Sequence, residues 1–498
     1  MRLPIFLLIF LLLLAGFNAH ADTPDLVLRG ALTGADHQTY RSVPFDVPAG
    51  VERITIAFDY DGKEQRSVID LGLLGPDGTL RGWSGGNKRA FTVSGVDATP
   101  SYQPTPTTPG TWALLLGIPN IRQHARAEYT AQVYFSRSLN VTDEPSLLRP
   151  VLRKEAGWYR GDLHTHTGHS DGSCPTSGGA AGQLTTVPCP LYMTAVTAQE
   201  RRLDFVAITE HNYVGHANAM REMQPRFDRL LLMPAREITT FYGHANLFGT
   251  LAPLDFRIAP GAHADADSLL AAAANLNGLL SINHPVRPSG EQCMGCGWEQ
   301  ATDMRRVQAI EVVNGPDADS EWSGIPFWHA QLRRGLRITA IGGSDNHRPH
   351  EARGMPGALG EPTTVVHARE LSQLALLEGI RAGRVFIDLK NVPGRVLELT
   401  AQAGGRRAMM GDALAVKKGD SARFTLRVAQ AKGARIEVLF DGERSALLAQ
   451  RDVDGADVVR EFTWRSDGKR HWVRIDVRDG AGKLILLGNP IYLNPEAG

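Results

Sequence analysis

Between residues 157 and 347 the chain repeats one design six times: a short apolar run closes on residue types that bind metals. The first is "GDLHTHTGHSDG", in which His164 and His166 are one residue apart and Asp171 follows. In an extended backbone alternate side chains share a face, so His164 and His166 project side by side. "DFVAITEHN" closes on Glu210 and His211, "LLLMPAREITTFYGHANLFG" carries Glu237 and His244, and "GLLSINHP" closes on His284. "VQAIEVVNG" runs through Glu311 to Asn314, and "RITAIGGSDNH" ends in Asp345 and His347. Donors this far apart in sequence do chemistry together only if the strands that carry them lie side by side. In barrels of parallel strands, functional residues collect where strands give way to loops.

His164, His166, Asp171, His211, Glu237, His244, His284, Asp345 and His347 make nine candidate ligands. Zinc takes about four, so nine suit two or three divalent ions with shared carboxylates. Imidazole and carboxylate without thiolate suit Zn, Mn or Fe. Glu210, Glu311 and Asn314 stand at strand ends, where they can hold the second ring nitrogen of a ligating histidine. Arg287 and Arg348 adjoin ligands, and a guanidinium suits an anionic substrate or transition state. His169, His216, His329 and His350 match no ligand position.

Strand-like runs alternate with helical stretches such as "ADSLLAAAANLNG" and "ARELSQLALLEGIRAG", which implies a parallel sheet with helices outside. This middle segment, 151–392, is flanked by two stretches of β alternation. In 22–150, "RITIAFDY" sets Ile54, Ile56, Phe58 and Tyr60 against polar neighbours. In 393–498, "VRIDVRDGAGK" sets Val473, Ile475 and Val477 against Arg474, Asp476 and Arg478. Each flank is expected to be an all-β sandwich, and either could contact a glycan or a protein. The 498 residues suit about three domains. Lys+Arg and Asp+Glu are both 53, so no basic excess marks a nucleic-acid surface.

Residues 1–21 read as a signal peptide: Arg2, the apolar run Leu3 to Ala15, and the small-x-small Ala19-His20-Ala21. The run is short for a membrane span, so export to the periplasm or beyond is expected, with no span left after cleavage. Cys174, Cys189, Cys293 and Cys296 are then expected to form two disulfides, in one of three connectivities. The alternative is a four-thiolate zinc site.

The ordered motifs "DLHTHTxxSDG", "ITEHN", "EIT…GHANLFG", "NHP" and "GGSDNH" resemble those of the polymerase-and-histidinol-phosphatase superfamily, and within it the branch containing the carbaryl hydrolases. The resemblance covers roughly 155–390. It implies an α/β fold with a distorted (β/α)7 barrel and a di- or trinuclear metal centre. By position it makes all nine donors metal ligands and Glu237 the bridging carboxylate. It also implies phosphoester hydrolysis, or, as in the carbaryl branch, hydrolysis of a carbamate ester. The expectation is an exported hydrolase of a small ester or phosphoester, using metal-activated hydroxide. His211 or His347 would shuttle a proton, and Arg287 and Arg348 would face the substrate. A non-catalytic metal- or glycan-binding protein is the rival from another class.

Overall fold

The computed structural model describes residues 23–86, 88–176, 185–291 and 293–495. The expected signal peptide lies outside them. Among the described residues no helix is long and apolar enough to cross a membrane.

At the N-terminal end, two four-stranded antiparallel sheets face each other. One runs Leu26–Thr33, Arg126–Ser136, Arg53–Tyr60, Ala90–Ser94; the other Thr39–Val47, Gly110–Asn120, Val68–Leu74, Leu80–Ser84. Alternation drives this packing: Ile54, Ile56 and Phe58 meet Leu71, Leu73, Leu114 and Leu116 in one dry core. Arg53 and Thr55, on the opposite face, are also buried, because that face packs on the middle segment.

The middle segment is not the expected (β/α)7 barrel. Its described residues carry five α-helices, of seven to ten residues each. Its sheet is mixed rather than parallel, in the order Thr339–Gly343, Ala309–Asn314, Leu279–Ile282, Gly243–Phe248, Leu231–Thr240, Phe205–His211, Gly157–Asp162, Thr363–Ala368, Val385–Asp388. The run from Gly157–Asp162 through Phe205–His211 to Leu231–Thr240 is parallel. The chain then reverses within two residues, so Gly243–Phe248 lies antiparallel to its neighbours on both sides. Thr363–Ala368 is antiparallel to Gly157–Asp162 as well. Strands buried on both faces are continuous apolar runs whichever way they point, so strand direction was hidden in the sequence.

This sheet does not stop at the segment's end. Val385–Asp388 pairs with Leu484–Gly488, which continues into His471–Arg478 and Arg435–Phe440. A separate four-stranded sheet, from Arg406–Met409 through Val396–Ala403 and Ser421–Ala429 to Asp457–Arg465, covers that extension. Val473, Ile475 and Val477 share its core with Phe424 and Phe462. The opposite face is not solvated there, since Arg474 is buried against the helix Ile325–Arg333 and Asp476, its ion-pair partner, is buried with it. There Arg474 lies over the Trp328 ring and donates to His329 Nε2 at 3.3 Å.

A buried charge network joins the N-terminal sheets to the helix that follows the His211 strand, Ala217–Met223. Glu144 Oε1 accepts from Arg53 Nη1 at 2.6 Å and from Arg221 Nη2. Asp97 faces both arginines and accepts from Asn218 Nδ2 at 2.7 Å. A cleft of ≈ 1120 Å³ lies between the same two regions and is lined by none of the nine donors. Removing one member of a buried charge set strands the rest, at a cost of about 3–5 kcal/mol. Glu144→Ala is therefore expected to lower the urea midpoint clearly. An unchanged midpoint would mean that this network does not hold the two regions together.

Candidate metal centre

His164 and His166 lie just past the strand Gly157–Asp162, in backbone that stays extended because neighbours pin it. His166 N donates to the Asn346 carbonyl at 2.8 Å, and Thr165 forms an isolated parallel bridge with Asn346. Thr209 N, on the His211 strand, donates to the Thr165 carbonyl at 2.9 Å. The Asp162 carboxylate then ties this motif to the "GGSDNH" loop: it accepts from His164 N at 3.2 Å, Ser344 N at 3.0 Å and Gly360 N at 2.7 Å. Gly343 permits that approach, since a Cβ there would sit 2.4 Å from Glu311 Oε1 and 2.5 Å from His164 Cβ.

Around Glu237 the donors gather in two lobes. Glu237 Oε1 faces His164 Nε2 at 3.2 Å, His244 Nδ1 at 3.4 Å and His284 Nε2 at 3.4 Å. Its other oxygen faces His166 Nε2 at 3.6 Å and His211 Nδ1 at 3.0 Å. Asp345 Oδ1 repeats the pattern, 3.3 Å from His164 Nε2 and 3.4 Å from His166 Nε2. In the outer lobe Asp171 Oδ1 stands 3.4 Å from His211 Nε2 and 3.3 Å from His347 Nε2. Donor atoms of His166, Asp171, His211 and His347 all lie within 4.8 Å of one another, as do those of His164, His166 and Glu237.

These groups can hold metal ions. Two donors on one tetrahedral ion, each at 2.0–2.2 Å, lie about 3.3–3.6 Å apart, and most of the spacings above fall there. Buried ring nitrogens also need a partner. His164 Nε2 and both nitrogens of His166 are buried without a hydrogen bond, and a cation at the cluster would give His164 Nε2 and His166 Nε2 a partner. The second nitrogens of three rings are held. His164 Nδ1 pairs with Glu311 Oε1 at 2.9 Å, His244 Nε2 donates to the Met294 carbonyl at 3.1 Å, and His347 Nδ1 donates to the Asp345 carbonyl at 2.9 Å. Each leaves the opposite nitrogen facing the cluster, the arrangement that orients metal-binding imidazoles. His284 and Asp345 have φ of 27° and 55°, an uncommon region for non-glycine residues.

Burial and neighbouring charges set the protonation of the site. Burial opposes charge on His164, but Asp345, Glu311 and Glu237 outweigh it and raise the pKa well above the usual value. His166 is pushed down to about 4, chiefly by burial. His211 and His347 lose to burial and gain more from Asp171, with Glu237 and Asp345 adding; they are raised to about 10 and about 8. Glu237 and Asp345 stay well below the usual carboxylate range, held there against burial by the histidines.

Other candidates sit elsewhere. Glu210 points at no histidine of the cluster; it accepts from Thr167 N at 3.0 Å, Thr167 Oγ1 at 2.5 Å and Ser170 Oγ, fixing the loop to Asp171. Asn314 Nδ2 donates to Glu311 Oε2 at 3.0 Å. Arg287 reaches the rim, 3.9 Å from Asp345 Oδ2, and is paired with Asp317 at 2.8 Å. Arg348 is exposed. His216 is buried against the Ile208 carbonyl, His329 against Arg474, and His169 and His350 are exposed. Cys174 pairs with Cys189 and Cys293 with Cys296.

The sequence pattern does not single out Asp162, Thr239 or Asn283. Thr239 Oγ1 is hydrogen-bonded to His211 Nδ1 at 2.6 Å, and Asn283 Nδ2 donates to Glu237 Oε1 at 2.9 Å. Asn283 directly precedes His284, and strand alternation would have turned it away. The positive φ of His284 lets both side chains face Glu237.

Metal binding must displace the protons that His164, His211 and His347 hold at neutral pH. Titrating metal-free protein near pH 7 is expected to release about three protons per chain. Affinity should rise with pH through about 8 and on through about 10. Calorimetry in buffers of different ionisation enthalpy reads this directly. Binding without proton release would contradict this arrangement of charges.

No family model matches the chain, and no curated protein matches it.

Proposed function

We propose that this chain is an exported, metal-dependent hydrolase of ester bonds, phosphoesters first, with two or three divalent ions (Zn, Mn or Fe) at the donor cluster. One observation carries the reading: two lobes share Glu237 and Asp345, and one lobe alone opens to solvent. His164, His166, His244 and His284 have side chains at most 6 % exposed, whereas His211, His347 and Asp171 stand at 27, 34 and 55 %. A small substrate therefore approaches over the outer lobe. Paired divalent ions, when bound, lower the pKa of a coordinated water and polarise the group under attack.

The chain's own residues supply the rest. Glu237 and Asp345 bring negative charge between the lobes, and Glu311 locks the His164 ring. His211 and His347 stand at the open side, where an imidazole that is not committed to an ion can move a proton to the leaving oxygen. Arg287, beside Asp345, is placed to meet an anionic oxygen, although Asp317 already offsets part of its charge. The two disulfides suit an oxidising compartment and so support export.

A second reading, carbamate or carboxylic-ester hydrolysis, is favoured by the rim. Phe241, Tyr242, Val286, Met294 and Trp322 are exposed on the loops around His244, His284 and Arg287. Grouped apolar side chains on a surface mark binding sites, and they suit an ester with an apolar body.

Purified protein, loaded and then chelated, should be compared on a phosphomonoester, a phosphodiester and an aryl ester. Metal-dependent turnover of a phosphoester is expected; turnover of the aryl ester alone would reverse the order of the two readings. Tightly held metal with no turnover on any of them would favour a binding protein. Glu311→Gln should weaken metal binding or activity about 10–100-fold, the usual loss for an outer-shell partner, and Glu237→Gln should cost more than that. Equal, small losses in the two would remove Glu237 from the centre.

A further inference from the structure

One donor set contains a cysteine. His244, His284 and Cys296 place ligand atoms within 4.8 Å of one another, and all three residues are buried, Cys296 completely. His284 Nδ1 is buried with no hydrogen-bond partner, so this side of the ring has a donor or lone pair left unused. Cys296 is bonded to Cys293. A disulfide sulfur is a poor metal ligand, whereas a thiolate binds zinc-like ions at about 2.3 Å beside imidazoles at about 2.0–2.1 Å. We infer that Cys296 is a concealed metal ligand: reduction of Cys293–Cys296 frees a thiolate that joins His244 and the unpartnered Nδ1 side of His284 on an ion at the edge of the inner lobe.

The loop is held in place by more than the disulfide. Gly290 and Cys293 exchange two backbone hydrogen bonds, of 3.0 and 3.2 Å. Gly295 N donates to Ser289 Oγ at 2.8 Å, and Trp298 N donates to the Pro285 carbonyl at 2.9 Å. Met294 accepts from His244 itself. Gly295 has φ +79°, and a Cβ there would lie 2.0 Å from the Thr240 carbonyl, so the loop is pressed against the turn that joins Glu237 to His244. These bonds survive reduction and keep Cys296 beside the two histidines. The step balances with a dithiol as reductant. The dithiol gives two electrons and two protons and becomes a disulfide, and Cys293 and Cys296 become thiols. The Cys296 proton passes to solvent as the sulfur takes the ion.

The inference rests on the metal-centre reading for His244 and His284, and cobalt separates the two. Cys293→Ser leaves Cys296 free without reductant and leaves Cys174–Cys189 intact. Loaded with Co(II), this variant is expected to show a sulfur-to-cobalt charge-transfer band in the near ultraviolet. Oxidised unmodified protein and the Cys293→Ser, Cys296→Ser double variant should lack it. Unmodified protein treated with a phosphine, which carries no thiol of its own, should gain the band and lose it on reoxidation; this covers the case of a misfolded variant. Cobalt bound with ligand-field bands but no charge-transfer band, in the variant and the reduced protein alike, would overturn the thiolate ligand and leave the centre standing. Failure of every form to bind cobalt would overturn both.

Discussion

The candidate metal centre depends on the position of one carboxylate. Glu237 sits near the end of a strand flanked on both sides, and its two oxygens face different histidine sets: His164, His244 and His284 on one, His166 and His211 on the other. A buried carboxylate among neutral rings would be costly, and so would a ring of buried histidines without a counter-charge. Together they lower one another's cost, and most of their separations, 3.2 to 3.6 Å, suit shared ligation of a cation better than a hydrogen bond. The pairing of the two lobes thus follows from a single side chain that belongs to both.

The sheet exists to make that possible. Parallel neighbours align His211 directly with Glu237 in register. The hairpin that follows brings His244 back opposite Thr239, the partner of His211. His284 arrives from the next strand over, and Glu311 from the one after, with its carboxylate split between His164 Nδ1 and the His284 amide. Asp345 closes the set through Asp162 and the Thr165–Asn346 bridge. The turn between Leu231–Thr240 and Gly243–Phe248 needs no helix: it moves the chain one strand over in two residues, where a parallel crossover needs a dozen or more.

How far this was legible varies with the kind of signal. The donors could be read because each closes an apolar run, and a polar residue at such a place needs a reason. The alternation in "RITIAFDY" and "VRIDVRDG" named the buried faces correctly for Ile54, Ile56, Val473 and Ile475. It did not show that the other faces are covered too, since burial of Arg53 and Arg474 depends on partners from distant segments. The barrel was misread because direction leaves no trace in an apolar run. Asn283 was missed for a local reason, the backbone turn at His284, which no side-chain pattern announces. Glu210 was read as a partner for a histidine and instead holds the Asp171 loop, because its strand neighbour Thr209 fixes the opposite side of the same motif.

Anomalous diffraction from crystals soaked in manganese or zinc tests the convergence most directly. If Glu237 joins two lobes, at least two peaks are expected, neighbours about 3.5–4 Å apart, with the Glu237 oxygens divided between two of them and His164 and His211 on opposite sides. A single peak bound by one lobe, or peaks at sites that do not share Glu237, would contradict it.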